Sequence, residues 1–207
     1  MQQVIGPARE AGVSTAKLRP ESFSTRAIIA ADRFIYRFAG RWLTAFNTVL
    51  VAWALAVLVA PLLTAIGRDG AARPIYGFFA LFCHQDPDRS FHVFGEKLAC
   101  CERCAAIYGS IATFGLLFGL VRVRIRAPRY AELLALVLPV VLDGMAVGAG
   151  LYNGNAVVRV TTGGLFGLAL IWFLYPKFDR GFAAMRTRIE ALFERLVAQG
   201  RAQPLVS

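Results

Sequence analysis

Trp42-LTAFNTVLVAWALAVLVAPLLTA-Ile66 contains no ionisable side chain. At 1.5 Å per residue, a helix over this run is about 37 Å long, more than the roughly 30 Å hydrocarbon core of a bilayer. Three more runs of the same character follow. Cys104 to Val121 carries no Asp, Glu, Lys or Arg; Tyr130 to Gly150 is interrupted only by Glu132 and Asp143; Ala156 to Tyr175 carries only Arg159. The chain as a whole is 57% hydrophobic and 17% charged, whereas soluble domains are nearer half apolar and a quarter charged. The reading is an all-α, polytopic membrane protein with four transmembrane helices. Pro74 to Phe82 is apolar and aromatic but too short to cross, so a re-entrant or interfacial helix is expected between the first two spans.

The formal net charge of +10 raises nucleic acid as a partner, but the positions of the charges argue against it. Seven Lys/Arg precede Trp42, four lie between Arg122 and Arg129, and six follow Tyr175. The segment after the first span holds five, balanced by five acids, and Leu151 to Val158 holds none. This is the positive-inside distribution, which places both termini in the cytoplasm and the protein, multi-pass, in the inner (plasma) membrane. The partner it implies is the lipid bilayer, with basic residues meeting anionic head groups. Met1 to Pro20 lacks the apolar core of a cleavable signal and is expected to be disordered.

The domain organisation follows from these runs. Residues 1–41 form a cytoplasmic tail with an amphipathic helix, 42–175 the four-helix membrane domain, and 176–207 a second amphipathic tail. Arg26, Arg33, Arg37 and Arg41 alternate with Ile28, Ile29, Phe34, Ile35 and Phe38. Phe182, Met185, Ile189, Leu192 and Phe193 form the apolar side of the other tail. Both stretches suit helices lying on the inner leaflet. Within the membrane, Gly115 and Gly119, Gly144 and Gly148, and Gly163 and Gly167 repeat at four-residue spacing, which lets helix backbones approach closely in lipid. A tight bundle of the last three spans is expected, with the first alongside.

Chemistry concentrates in one segment. All four cysteines and both histidines lie between Cys83 and Cys104, on the extracytoplasmic side in this topology. Cys83, His84, Cys101 and Cys104 offer a Cys₃His metal set, and the gap in Cys101-Glu-Arg-Cys104 suits tetrahedral ligation. Thiolates accept zinc or copper. Cys101 and Cys104 open the second span, where a helix N-terminus favours a thiolate, and Tyr108 lies one turn deeper on the Cys104 face. Asp143 and Arg159 are ionisable groups inside the membrane, which normally pair and mark a site. They flank one short external turn built on Asn153, Gly154 and Asn155, so a membrane-embedded Asp143–Arg159 pair is expected. Arg103, Tyr108, Asp143, Asn155 and Arg159 are the candidates for chemistry beside the thiols.

Cys83-His84-Gln85, Arg89-Ser90-Phe91, Cys101-x-Arg103-Cys104, Tyr108-Gly109, Asp143-Gly144, Asn155 and Arg159-x-x-Thr162-Gly163 follow one another in order. This series, covering Ile75 to Gly167, resembles the predicted membrane proteins grouped as domain of unknown function 2085. The resemblance implies a membrane fold and a motif set, and no reaction. Cys100 is an extra thiol beside the motif, and Ala105-Ala106 stands where the family pattern suggests Thr-Gly.

Three functional readings stand at this point. One is a transition-metal site next to the Asp/Arg pair. A second is thiol–disulfide exchange coupled to a quinone. The third is a structural or transport protein stapled by a disulfide. The first two leave a lipid-linked or quinone substrate open. The sequence names neither the substrate nor the oligomeric state, nor whether the protein is an enzyme.

Overall fold

The computed structural model of the chain describes residues 23–205; the disorder expected of Met1 to Pro20 lies outside the described residues. Five α-helices are described: α1 (Phe23–Ala65), α2 (Asp69–Ala80), α3 (Glu102–Val121), α4 (Tyr130–Gly148) and α5 (Ala156–Ala198). Between α2 and α3 lie a 3₁₀ turn at Pro87–Arg89 and a two-stranded antiparallel hairpin, β1 (His92–Val93) with β2 (Glu96–Lys97). α1, α3, α4 and α5 are long and apolar enough to cross a membrane, and α2 is the short helix expected between the first two. The hairpin was not expected. Its connecting residues Phe94 and Gly95 have φ of 56° and 84°, the positive values a tight two-residue turn matching strand twist requires.

Helix ends at the α1–α2 and α4–α5 connections are set by glycine. Gly67 and Gly150 take φ of 73° and 70°. Each donates its N–H three residues back while the next residue reaches five back, Arg68 to Leu63 at 2.8 Å and Leu151 to Ala146 at 3.0 Å. This is the Schellman arrangement, which satisfies the last free carbonyls of a helix.

The described residues fall into two compact units. The larger is Arg41–Ala183. Its core centres on the fully buried Trp42, whose ring lies 5.3 Å from Tyr175, 5.5 Å from Phe182 and 5.8 Å from Phe46. Asn47 ties three helices together. Its Nδ2 donates to the Gly115 carbonyl of α3 at 2.9 Å, and its Oδ1 accepts from the Tyr175 hydroxyl of α5 at 2.7 Å. In a bundle surrounded by lipid, a buried amide of this kind must be fully partnered. A Cβ on Gly115 would stand 2.7 Å from the Asn47 Oδ1, so this glycine admits the link.

The packing differs from the expected one. α1, α3 and α5 form the close bundle, and α4 is the peripheral helix: Asp143 is its one buried residue, while Leu134, Leu142 and Met145 are exposed. The glycine spacing explains the exchange. A Cβ on Gly163 would meet the Arg103 carbonyl at 2.7 Å and one on Gly167 would overlap Ser110 Oγ, whereas Gly148 has nothing near it. The α5 glycines are a close backbone contact with α3. Of the α4 pair, Gly148 is open and a Cβ on Gly144 would meet only the end of the Arg103 side chain, at 3.6 Å, and spacing alone does not tell the two pairs apart.

The second unit takes in the chain up to Gly40 and from Ala184 onward. The amphipathic stretches of both tails belong to α1 and α5, each 43 residues long. Part of their apolar face is buried within the protein: Ile189 and Phe193 pack with Ile29, Tyr36, Leu196 and Leu205. Tyr36 donates to Glu190 at 2.8 Å and accepts from Arg186 at 3.0 Å. Ile28 and Phe34 remain exposed. A helix needs no break where its environment changes, so continuity was invisible in the residue pattern.

The glycine assignment is testable by thermal unfolding in detergent. Gly163→Ala should cost about 1–3 kcal/mol through overpacking against the first turn of α3, and Gly148→Ala should change stability by less than about 0.5 kcal/mol. Equal tolerance of both substitutions would show that Gly163 does not set the α3–α5 approach.

Candidate functional site

The site is built where the α2–α3 connector meets the first turns of α3 and α5. α2 ends at Ala80, and Cys83 still donates its N–H to the Phe79 carbonyl at 3.0 Å. The chain then turns sharply at Gln85, which has φ of 52° in the left-handed region that few residues other than glycine occupy. Three hydrogen bonds hold it there. Gln85 Nε2 donates to the Tyr76 carbonyl (2.7 Å), Lys97 Nζ donates to the Gln85 carbonyl (2.9 Å), and the Tyr76 hydroxyl donates to the Lys97 carbonyl (2.6 Å). α2, the turn and the hairpin are thereby closed into one frame with Cys83 buried inside it.

That frame carries Cys83 to the N-terminus of α3. The sulfurs of Cys83, Cys101 and Cys104 all lie within 4.8 Å of one another. Cys83 Sγ also accepts the Cys101 backbone N–H at 3.1 Å. Hydrogen bonds from the Cys101 and Cys104 thiols, with the backbone N–H groups of Cys101 and Gln85 adding to them, hold the Cys83 thiol well below its ordinary value despite burial. All four cysteines are free. Cys100, the extra thiol, points into the apolar cluster of Val57, Ala60, Phe79 and Leu98. Burial, then the neighbouring Cys83 and Cys101 sulfurs, push its thiol up to about 12.

Of the four donors expected in the Cys₃His set, the three thiols converge. His84 is exposed and not among the converging donors. Adjacent residues direct their side chains apart, and the turn at Gln85 leaves Cys83 inside and His84 on the cavity wall. His92 is an exposed residue of β1. Tyr108 packs in the aromatic layer beneath the thiols, with ring centroids 5.9 Å from Trp53 and 6.3 Å from Phe79.

The expected Asp143–Arg159 pair is not formed. Both residues are buried, but each takes a partner from the first turn of α3. Arg103 bonds Asp143, whose other oxygen accepts from the Tyr152 hydroxyl. Arg159 donates to Glu102 at 3.0 Å and to the Asn153 carbonyl at 2.8 Å. Arg159 and Glu102 both stand in first turns, of α5 and α3. Asp143 lies about 8 Å down α4 from its last residue, and Arg103 reaches it from the first turn of α3. A cation at the N-terminus of α5 also opposes that helix's dipole, whereas Glu102 suits the N-terminus of α3. Arg159 is covered by the turn: a Cβ on Gly154 would sit 2.9 Å from its Nη2. Asn155 caps α5, its Oδ1 accepting the Val158 N–H at 2.8 Å, as short polar side chains do at helix starts. Thr162 is spent on the Val158 carbonyl at 2.7 Å.

Glu102 and Tyr152 were missed by sequence reasoning, and Gln85 entered only as part of the family motif, with no role. Glu102 carried a usable signal: a carboxylate in the first turn of a membrane helix, when a second helix begins with an arginine. Tyr152 carried none, and the role of Gln85 depends on a turn whose geometry only the fold defines.

Together these groups enclose a cavity of about 460 Å³ lined by the three thiols on one side and by His84, Arg89, Arg103 and Arg159 among the others. For a metal, the donor chemistry fits. Three thiolates around a tetrahedral ion with bonds of about 2.3 Å stand roughly 3.8 Å apart, inside the spread observed. A backbone N–H on a thiolate is the outer support such ligands receive.

Comparison with known proteins places the chain. Residues 83–173 match the family described as predicted membrane protein (DUF2085). An uncharacterized protein of Methanothermobacter thermautotrophicus is 34% identical over 92 residues, covering 44% of this chain and 83% of that protein. The uncharacterized protein MJ1492 of Methanocaldococcus jannaschii is 29% identical over 106 residues, covering 50% of this chain and 68% of that protein. No solved structure matches. With the matched region running from Cys83 through the thiols and both ion pairs into α5, this chain belongs to the DUF2085 family of predicted membrane proteins.

Proposed function

We propose that this protein carries a three-thiolate transition-metal site, for zinc or Cu(I), on the outer face of the inner membrane. The observation that carries the reading is the convergence of the Cys83, Cys101 and Cys104 sulfurs within 4.8 Å, with a backbone N–H already directed at Cys83. The outer placement rests on the distribution of Lys and Arg, sparse in the α4–α5 turn and dense at both termini and between α3 and α4. Cys83 is supplied by the Gln85 frame, Cys101 by the N-cap of α3 and Cys104 by its first turn. Arg103 and Arg159 hold that turn in place and present guanidinium groups to the cavity. Three protein ligands leave one position of a tetrahedral ion facing the cavity, where a bound zinc would polarise an oxygen ligand.

Quinone-linked thiol–disulfide exchange is the second reading, and the close approach of free thiols supports it as well. Joining Cys101 and Cys104 releases two protons and two electrons, and the quinone would accept both electrons. The same preparation separates the readings. Protein purified without chelators should contain about one zinc or copper per chain, lost in Cys83→Ser, Cys101→Ser and Cys104→Ser and kept in His84→Ala. Metal-free protein with a reducible disulfide would favour the second reading.

Cys100 supplies an internal control. The thiolate is the reactive form, and the Cys100 thiol, raised to about 12, stays protonated far above neutrality. In chelated, folded protein at pH 8 it should be the last cysteine alkylated by iodoacetamide, as read by peptide mass spectrometry. Its rate should rise only toward pH 12. Early modification of Cys100 would mean that the apolar cluster around it is open.

A further inference from the structure

The cavity beside the thiols has a wall the metal reading does not use. Arg89, Arg103 and Arg159 line it, and among the described residues Asp86 is the only carboxylate that does. The acids that neutralise the two deeper arginines sit behind them. The Asp143 side chain is 3% exposed against 25% for Arg103, and Glu102 lines a neighbouring cavity instead of this one. Arg103 spends one Nη on Asp143, and its Nε is buried with no partner. Among the described residues Arg89 is held only by Asp86, at 3.2 Å, and both side chains are about two-fifths exposed. The wall is thus cationic, with guanidinium N–H groups in excess of their acceptors. The adjoining cavity of about 450 Å³ adds Asp88 and Glu102, so an anion against the arginine wall of the first cavity meets fewer carboxylates than one in the second.

From this geometry we infer that the cavity seats a phosphate group, held by Arg103 and Arg89 and oriented by the fixed Arg159. Guanidinium forks match the oxygens of a phosphate in geometry as well as charge. At about 460 Å³ the space is that of a small-molecule site. Free phosphate and the phosphate of a lipid head group share this chemistry.

Titration calorimetry with inorganic phosphate, on the full chain purified in a non-ionic detergent, tests the first source. Native mass spectrometry with added phosphatidic acid tests the second. Saturable binding of either at one site per chain is expected, and which one binds identifies the source. Arg89→Gln and Arg103→Lys should each weaken it about tenfold, the loss of one charge-assisted hydrogen bond. Arg103→Lys keeps a cation for Asp143, so the bundle is retained, and Arg73→Gln in α2, away from the cavity, should bind as the parent does. Arg89→Gln leaves every thiol in place, so its metal content should be unchanged while phosphate affinity falls. That contrast separates failure of this inference from failure of the metal reading. Absence of saturable binding by both ligands, or parental affinity in both Arg89→Gln and Arg103→Lys, would overturn it.

Discussion

Two consecutive residues, Glu102 and Arg103, carry opposite charges into opposite neighbours, and the site depends on that divergence. Glu102 takes Arg159 of α5, and Arg103 takes Asp143 of α4. A charge at membrane depth is costly unless paired, and removing one partner of a buried pair costs about 3–5 kcal/mol. Rotation of the first turn of α3 would break both pairs together. Because Cys101 and Cys104 bracket the two charged residues, fixing that turn also fixes the two thiols. For the peripheral α4, whose sole buried residue is Asp143, the Arg103 bond is the main polar tie to the rest of the bundle's site end.

The third thiol arrives by a different route. Cys83 lies in a connector, where precision has to come from hydrogen bonds in place of helix packing. The cycle through Gln85, Tyr76 and Lys97 provides it, and the positive φ at Gln85 is the conformational cost of turning Cys83 inward. A rigid helical pair of thiols and a framed loop thiol together make a preorganised donor set. The arginines that stabilise the first arrangement also line the cavity the thiols face.

Long uncharged runs made the spans legible, since a bilayer imposes a length and a polarity that few other environments share. The cysteine cluster was legible as a neighbourhood, because all its members fall between residues 83 and 104. Partner choice was not. Asp143 and Arg159 flank one short turn, and nearness in sequence suggested a pair. The presence of Glu102 and Arg103 on a third helix decided otherwise. His84 was likewise grouped with Cys83 by adjacency, although adjacent side chains diverge. The contact of Ile189 and Phe193 with Ile29 and Tyr36 was not legible either, because nothing in the spacing of the two tails shows that they meet each other. In each case one-dimensional proximity is a poor guide to a contact made across the fold.

The central claim, that three thiolates of this connector and α3 hold a metal, is tested most directly by X-ray absorption at the metal edge of protein purified without chelators. The account predicts three sulfur scatterers at about 2.3 Å and one lighter atom in the fourth position. A bound metal with one sulfur or none in its first shell would contradict it, as would protein that carries no metal at all.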